Sequence, residues 1–267
     1  MLIGINVVVF LLINLVDVFG NLLFVNSGVS GFAQQYLALP SYLPTLLKHF
    51  WTPLTYMFMH SGIFHILFNM LWLYWMGQIF EEFLGNKRTL GLYLIGGFTG
   101  AALFVICYNI FPMFTQTGLV VTSTAVGASA AVMAIIAGAA TIVPDYTVVL
   151  FGIFPIKLKW IAIFYVAMGF LGMSGPNAGG EIAHIGGALA GFVYVKQLQS
   201  GKDWIASIAG LFKPKPKLRV ASTNRDKAPS GAPRQEEVDR ILDKISTTGY
   251  DNLSKQEKDI LFRASKK

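Results

Sequence analysis

The chain alternates long apolar runs with short polar breaks. Between Met1 and Leu198 there are several windows of about 18 or more residues with few or no charges, enough for a helix to cross a hydrocarbon core roughly 30 Å thick. A segment bathed in lipid must pair its own N–H and C=O groups, so these windows read as helices. The pattern predicts six, over roughly 2–25, 62–83, 89–109, 127–143, 158–173 and 181–198. They are joined by a long connection from Asn26 to Ser61, a short GNKR turn, a Pro-containing stretch from Pro112 to Ser123, a segment from Pro144 to Ile156, and SGPNAGG before the last helix. The first run has neither a basic leader nor a small-x-small cleavage site, and it is expected to be a retained helix rather than a signal peptide.

After residue 198 the pattern breaks. FKPKPKLRVASTNRDKAPSGAPR is too polar to bury a core and predicts a flexible basic linker over 199–234. Beyond it, Val238, Ile241, Leu242 and Ile245 recur at helical spacing. Ser254 followed by Glu257 is a capping-box pattern, so a small helical hairpin is expected over 235–267.

Composition agrees with the membrane reading: 54% of the 267 residues are hydrophobic and only 13% charged, against the roughly 25% that a soluble surface needs. The net charge of +7 is concentrated in the tail, since Lys48, Lys87, Arg88, Lys157 and Lys159 are the only basic residues before Lys196. Their distribution orients the chain, because short cytoplasmic loops carry excess Lys and Arg. Both termini are then cytoplasmic, and the second, fourth and sixth helices run from outside to inside. A basic tail on a membrane body favours anionic lipid headgroups over nucleic acid. The expected setting is the bilayer of a bacterial inner membrane, and the tail's own partner is not specified by the sequence.

Against this background, a few polar side chains stand out, because each is costly inside a bilayer. In HSGIFHILFNM, His65 and Asn69 are four apart on one helical face, with His60 just before the helix. Ser129 lies near the outer end of the fourth helix and His184 near the outer end of the sixth. At about 1.5 Å per residue, Ser129, His184, His65 and Asn69 fall within roughly 10 Å of one another in depth. A serine hydroxyl becomes a nucleophile when an imidazole takes its proton, which a Ser129–His184 dyad would supply. The resulting oxyanion needs donors, available from the Asn69 amide, a ring N–H of His65 and the backbone N–H of Ser129. No acidic third member is evident, since Asp17 is in the first helix and Glu81 and Glu82 lie at the far end of the second. Gly187 and Gly191 share a face with His184, and Gly127, Ala128, Ala130 and Ala131 surround Ser129, so close packing of the fourth and sixth helices would orient the dyad.

HSGIFHILFNM, GAS at 127–129 and AHIGGALAG at 183–191 together resemble the rhomboid family of intramembrane serine proteases, a resemblance covering residues 1–198. It implies an all-α, six-helix membrane core with part of the first loop in the outer leaflet, and cleavage of transmembrane protein substrates near the outer face. It also implies a nucleophile at Ser129, a general base at His184, oxyanion donors at His65 and Asn69, and His60 at the mouth of the site. Glu81 and Gly85 match a polar and a glycine position at the inner end of the second helix. The chain departs from the family pattern at Ala130, where GxSG usually has its last glycine, at Thr52, where many members have arginine after tryptophan, and at Met133, where an aromatic often packs on the catalytic imidazole.

No cofactor or metal is expected. Cys107 is the only cysteine, and HExxH is absent, which argues against a metalloprotease. Two other readings are a catalytically silent relative that binds membrane helices, and a transporter using His60, His65 and His184 as a relay. The second lacks a visible inverted repeat or paired carboxylates.

Overall fold

The computed structural model describes residues 1–23, 28–150, 152–211 and 235–265. It divides into two units, 1–213 and 214–267.

Among the described residues the first unit contains six long helices: α1 (Leu2–Leu22), α2 (Ile63–Leu84), α3 (Asn86–Ile110), α4 (Ser129–Ile142), α5 (Leu158–Gly172) and α6 (Ala178–Gln199), close to the runs read from the sequence. α1, α2 and α3 are long and apolar enough to cross a membrane, and α4 and α5 are shorter apolar helices. α4 sits at the centre. Every residue from Ala130 to Ala140 is buried, so this short helix is enclosed on all sides.

Its alanines let the neighbours approach to backbone contact. A Cβ added to Gly187 would overlap the Ala130 carbonyl, standing 2.7 Å from its carbon, and one added to Gly191 would stand 2.8 Å from the Ala134 carbonyl carbon. On the side of α3, a Cβ at Gly100 would lie 2.6 Å from the Ala130 Cβ and 2.8 Å from the Ala183 oxygen. Where neighbouring lipid is as apolar as a side chain, such close van der Waals packing is a main source of helix association.

The connection from α1 to α2 is more structured than a loop. Short helices at Val29–Tyr36, Leu43–Lys48 and Thr52–Thr55 and a 3-10 turn at Tyr56–Phe58 follow one another. Strand β1 (Leu39–Pro40) pairs antiparallel with β2 (Thr124–Ala125), Leu39 opposite Ala125. The Tyr56 hydroxyl donates to Gly97 O at 2.6 Å, Tyr93 donates to Met57 O at 2.9 Å, and the Asn6 amide donates to the Tyr93 hydroxyl at 3.2 Å. These bonds tie α1, the connection and α3 together. The Thr52 hydroxyl donates to His49 O at 2.8 Å and Trp51 Nε1 donates to Tyr36 O at 2.7 Å, so local bonds hold the Trp51-Thr52 pair, where many members of the family it resembles have Trp-Arg.

Two features differ from the sequence reading. The segment before α5 forms a hairpin, β3 (Thr147–Leu150) with β4 (Phe154–Lys157), and Asp145 accepts from Lys157 and Lys159 at 3.0 and 2.8 Å. The region expected as a linker begins with a helix, α7 (Trp204–Leu211), which docks on α3. Arg88 Nε donates to Asp203 at 2.8 Å, Tyr194 donates to the same carboxylate at 3.2 Å, and Ile205 packs on Gly91. WIASIAGL is apolar enough to pack, although the lysines and prolines after it dominate the composition. The rest of the stretch expected to be a linker, 212–234, lies outside the described residues.

The second unit is a helical pair, α8 (Gln235–Thr248) and α9 (Lys255–Ser265), with Ile241 and Leu253 buried. At the start of α9 the Ser254 N–H donates to Glu257 Oε2 at 2.8 Å and the Glu257 N–H donates to Ser254 Oγ at 3.3 Å, a reciprocal capping box. Lys244 Nζ reaches across from α8 to both Glu257 oxygens at 2.9 and 3.1 Å.

Lys244, and then Ser254, push the Glu257 carboxyl down from 4.5 to about 2. A depressed carboxylate stabilises the fold above its unfolded value, and that contribution is lost as pH falls through the folded one. Hydrogen exchange at the first-turn amides of α9 should therefore speed up between pH 4.5 and about 2, after correction for intrinsic rates. Glu257→Gln should remove that dependence, and an identical profile in the variant would contradict the assignment.

Candidate active site

Ser129, His65, Asn69 and His184 line one cavity of about 700 Å³ formed by α2, α4, α5 and α6. Phe64, Phe68 and Trp72 of α2 and Phe164, Tyr165 and Met168 of α5 supply its apolar walls, and Trp72 meets Tyr165 edge-on with ring centroids 5.4 Å apart. Met133 lines the cavity with Val132 and Ile136 of α4.

Ser129 is the first residue of α4, two residues later than the predicted start. Gly127 explains the delay. Its φ of +130° lies where glycine is favoured, outside the helical region, and its N–H donates to Tyr56 O at 2.9 Å. Among the described residues no side chain caps α4. The Ser129 N–H is thus one of the amides that a helix N-terminus leaves without an intrahelical partner, at the positive end of the helix dipole.

Gly127 also leaves room for His65. A Cβ there would stand 2.7 Å from His65 Nε2 and 3.5 Å from Ser129 Oγ, so the imidazole edge and the hydroxyl converge on one small volume. The other ring nitrogen of His65 is held by Ser61, whose N–H donates to Nδ1 at 3.4 Å and whose hydroxyl lies 3.0 Å from it. A backbone N–H only donates, so Nδ1 accepts and the ring proton sits on Nε2, facing the Ser129 side. Asn69 is 7% exposed and donates one amide hydrogen to His65 O at 2.9 Å, and the amide has a second hydrogen to offer.

His60, 8% exposed, packs edge-on to the His65 ring at 5.0 Å. Among the described residues neither of its ring nitrogens has a hydrogen-bond partner, and burial, followed by the proximity of His65, pushes it down to about 4. It is neutral near pH 7 and braces the His65 ring rather than lining the cavity. Glu81 and Gly85 are at the other end of α2, away from this group. Asp17 accepts from the Ser30 N–H at 3.1 Å, tying α1 to the first short helix of the connection.

His184 comes from α6, whose Gly187 lies against Ala130 one residue beyond Ser129. Among the described residues there is no direct hydrogen bond between Ser129 and His184; the two share the cavity. His184 Nδ1 instead lies 3.3 Å from Glu181 Oε2, one turn earlier on α6, and the Asn177 amide donates to Glu181 Oε1 at 3.5 Å. The sequence reading missed Glu181 because it sought a carboxylate on other helices. The signal was the E-x-x-H spacing, which puts two side chains on one helical face. Ser61 was missed in the same way, as an S-x-x-x-H pair.

The group supplies a hydroxyl, an imidazole and several N–H donors around one volume, the components needed to attack a carbonyl and hold the resulting oxyanion. A family model described as a Rhomboid domain matches residues 47–200, and a second, described as a family of unknown function (DUF6576), matches residues 223–267. The first match takes in α2 to α6 and every residue of the cavity. The chain is a membrane protein and a member of the rhomboid family.

Proposed function

We propose that this protein is an intramembrane serine endopeptidase that cleaves transmembrane segments of protein substrates near the outer face of the membrane. The observation that carries the reading is the convergence of Ser129 with the Nε2–H edge of His65 at Gly127, in a cavity that His184 also lines. His184 takes the Ser129 proton as Oγ attacks the scissile carbonyl carbon. The tetrahedral oxyanion is held by the Ser129 N–H, the His65 Nε2–H and the second Asn69 hydrogen. Collapse breaks the C–N bond, His184 returns the proton to the leaving amine, and water repeats the sequence on the acyl ester. A hydrogen bond from Ser129 to His184 is expected to tighten when substrate enters, as catalytic contacts often do. The absence of that bond among the described residues is the one observation favouring a silent relative that binds helices without cutting them.

Six spans, both termini in the cytoplasm and the 235–267 unit on that side complete the proposal, with part of the first connection in the outer leaflet. The Lys and Arg distribution supports it.

Purified wild type should cleave a model transmembrane substrate, with Ser129→Ala and His184→Ala at background and Asn69→Ala slowed roughly 10²-fold in kcat, as for loss of one oxyanion donor. Wild type cutting no better than Ser129→Ala would leave the silent reading standing. A reporter fused after Lys267 should give a cytoplasmic signal, and an external signal would invert every loop.

A further inference from the structure

Resting on the proteolytic reading above, we propose that Glu181 is the positioning residue of the site: its carboxylate fixes the proton of His184 on Nδ1 and so leaves Nε2 as the base for Ser129.

The argument starts from valence. An ionised carboxylate has lone pairs and no hydrogen, so the contact from Glu181 Oε2 to His184 Nδ1 at 3.3 Å requires a proton on Nδ1. In a neutral imidazole only one nitrogen carries hydrogen, and Nε2 is then the nitrogen with a free lone pair. That is the tautomer a general base for serine needs. Without a partner at Nδ1, imidazole divides between two tautomers, one of which has no lone pair to offer from Nε2.

Three features hold the carboxylate in place. Asn177 donates to its other oxygen at 3.5 Å. Gly172, at the end of α5, leaves space for its stem, and a Cβ there would lie 2.7 Å from Glu181 Cγ. Glu181 is also in the first turn of α6, where the helix dipole favours negative charge. Once His184 has taken the Ser129 proton, the same carboxylate faces an imidazolium and stabilises it. Among the described residues no other carboxylate lines the cavity, and His65 of α2 and Tyr165 of α5 are the titratable groups reaching it from elements packed around α6.

Substituting glutamine distinguishes this role from simple packing. Asn177 donates to Oε1, so the glutamine oxygen is retained on that side and the amide nitrogen is turned toward His184 Nδ1. A donor there selects the opposite tautomer. Glu181→Gln, nearly identical in shape, should therefore lower kcat at least as much as Glu181→Ala. The expected loss is roughly 10²-fold, smaller than the ~10⁴ that disabling a buried triad carboxylate costs, because the Glu181 side chain is 24% exposed.

The experiment uses the full chain in proteoliposomes with a model transmembrane substrate, comparing wild type, Glu181→Ala, Glu181→Gln and Glu181→Asp. The expected result is a fall in kcat with KM within about twofold, and partial recovery in the aspartate variant. In parallel, ¹⁵N-histidine spectra are recorded in a Ser129→Ala background, with and without Glu181→Gln. His184 should be protonated on Nδ1 in the first and on Nε2 in the second. An unchanged kcat in Glu181→Gln, a loss carried by KM, or the same tautomer in both spectra overturns the proposal. If wild type cuts nothing, the proteolytic reading fails, and the spectra alone decide whether Glu181 sets the His184 proton.

Discussion

The contact between α4 and α6 is the constraint on which the rest of the site depends. Gly187 and Gly191 present bare backbone to the carbonyls of Ala130 and Ala134, so the two helices lie as close as their main chains allow. Ser129 and His184 sit just beyond this contact, each within one turn of it. A bilayer supplies little hydrophobic drive to bring them together, since lipid tails are as apolar as leucine. Shape complementarity has to do so, which explains why α4 is almost wholly alanine, glycine and aliphatic residues and is enclosed by its neighbours.

Around that pair, the remaining polar groups are held by short-range bonds within single helices or turns. Ser61 sets the His65 proton, Asn69 is held to His65 O, and Glu181 meets His184 one turn along α6. Each helix thus carries its own orienting group, and only the packing of helices assembles them. The connection between α1 and α2 adds the last fixed point, because Tyr56 O holds the Gly127 amide and strand β1 pairs with the segment that leads into α4.

Much of this was legible in the sequence because polar residues are so conspicuous in apolar helices. His65, Asn69, Ser129 and His184 stood out for their cost in lipid, and the Gly187 and Gly191 spacing pointed to the face of α6 that packs on α4. The family followed from the same residues. What was not legible depended on backbone detail or on judging composition over too wide a window. The positive φ of Gly127 moves the start of α4 to Ser129, and no hydrophobic pattern encodes that angle. α7 was hidden because eight packable residues precede a stretch of lysines and prolines. Glu181 was passed over among the carboxylates, and its three-residue spacing from His184 became meaningful only once the Nδ1 contact was visible.

The central claim is that backbone contact between α4 and α6 assembles a serine nucleophile. It is tested most directly by labelling Ser129 with a fluorophosphonate in full-length protein carrying Gly187→Ala, with Gly4→Ala as control, since a Cβ at Gly4 meets nothing within 4 Å. The account predicts that Gly4→Ala labels like wild type and that Gly187→Ala loses labelling by roughly tenfold or more, the scale of a 1.4 kcal/mol change in site assembly. Equal labelling of Ser129 in Gly187→Ala and wild type would contradict it.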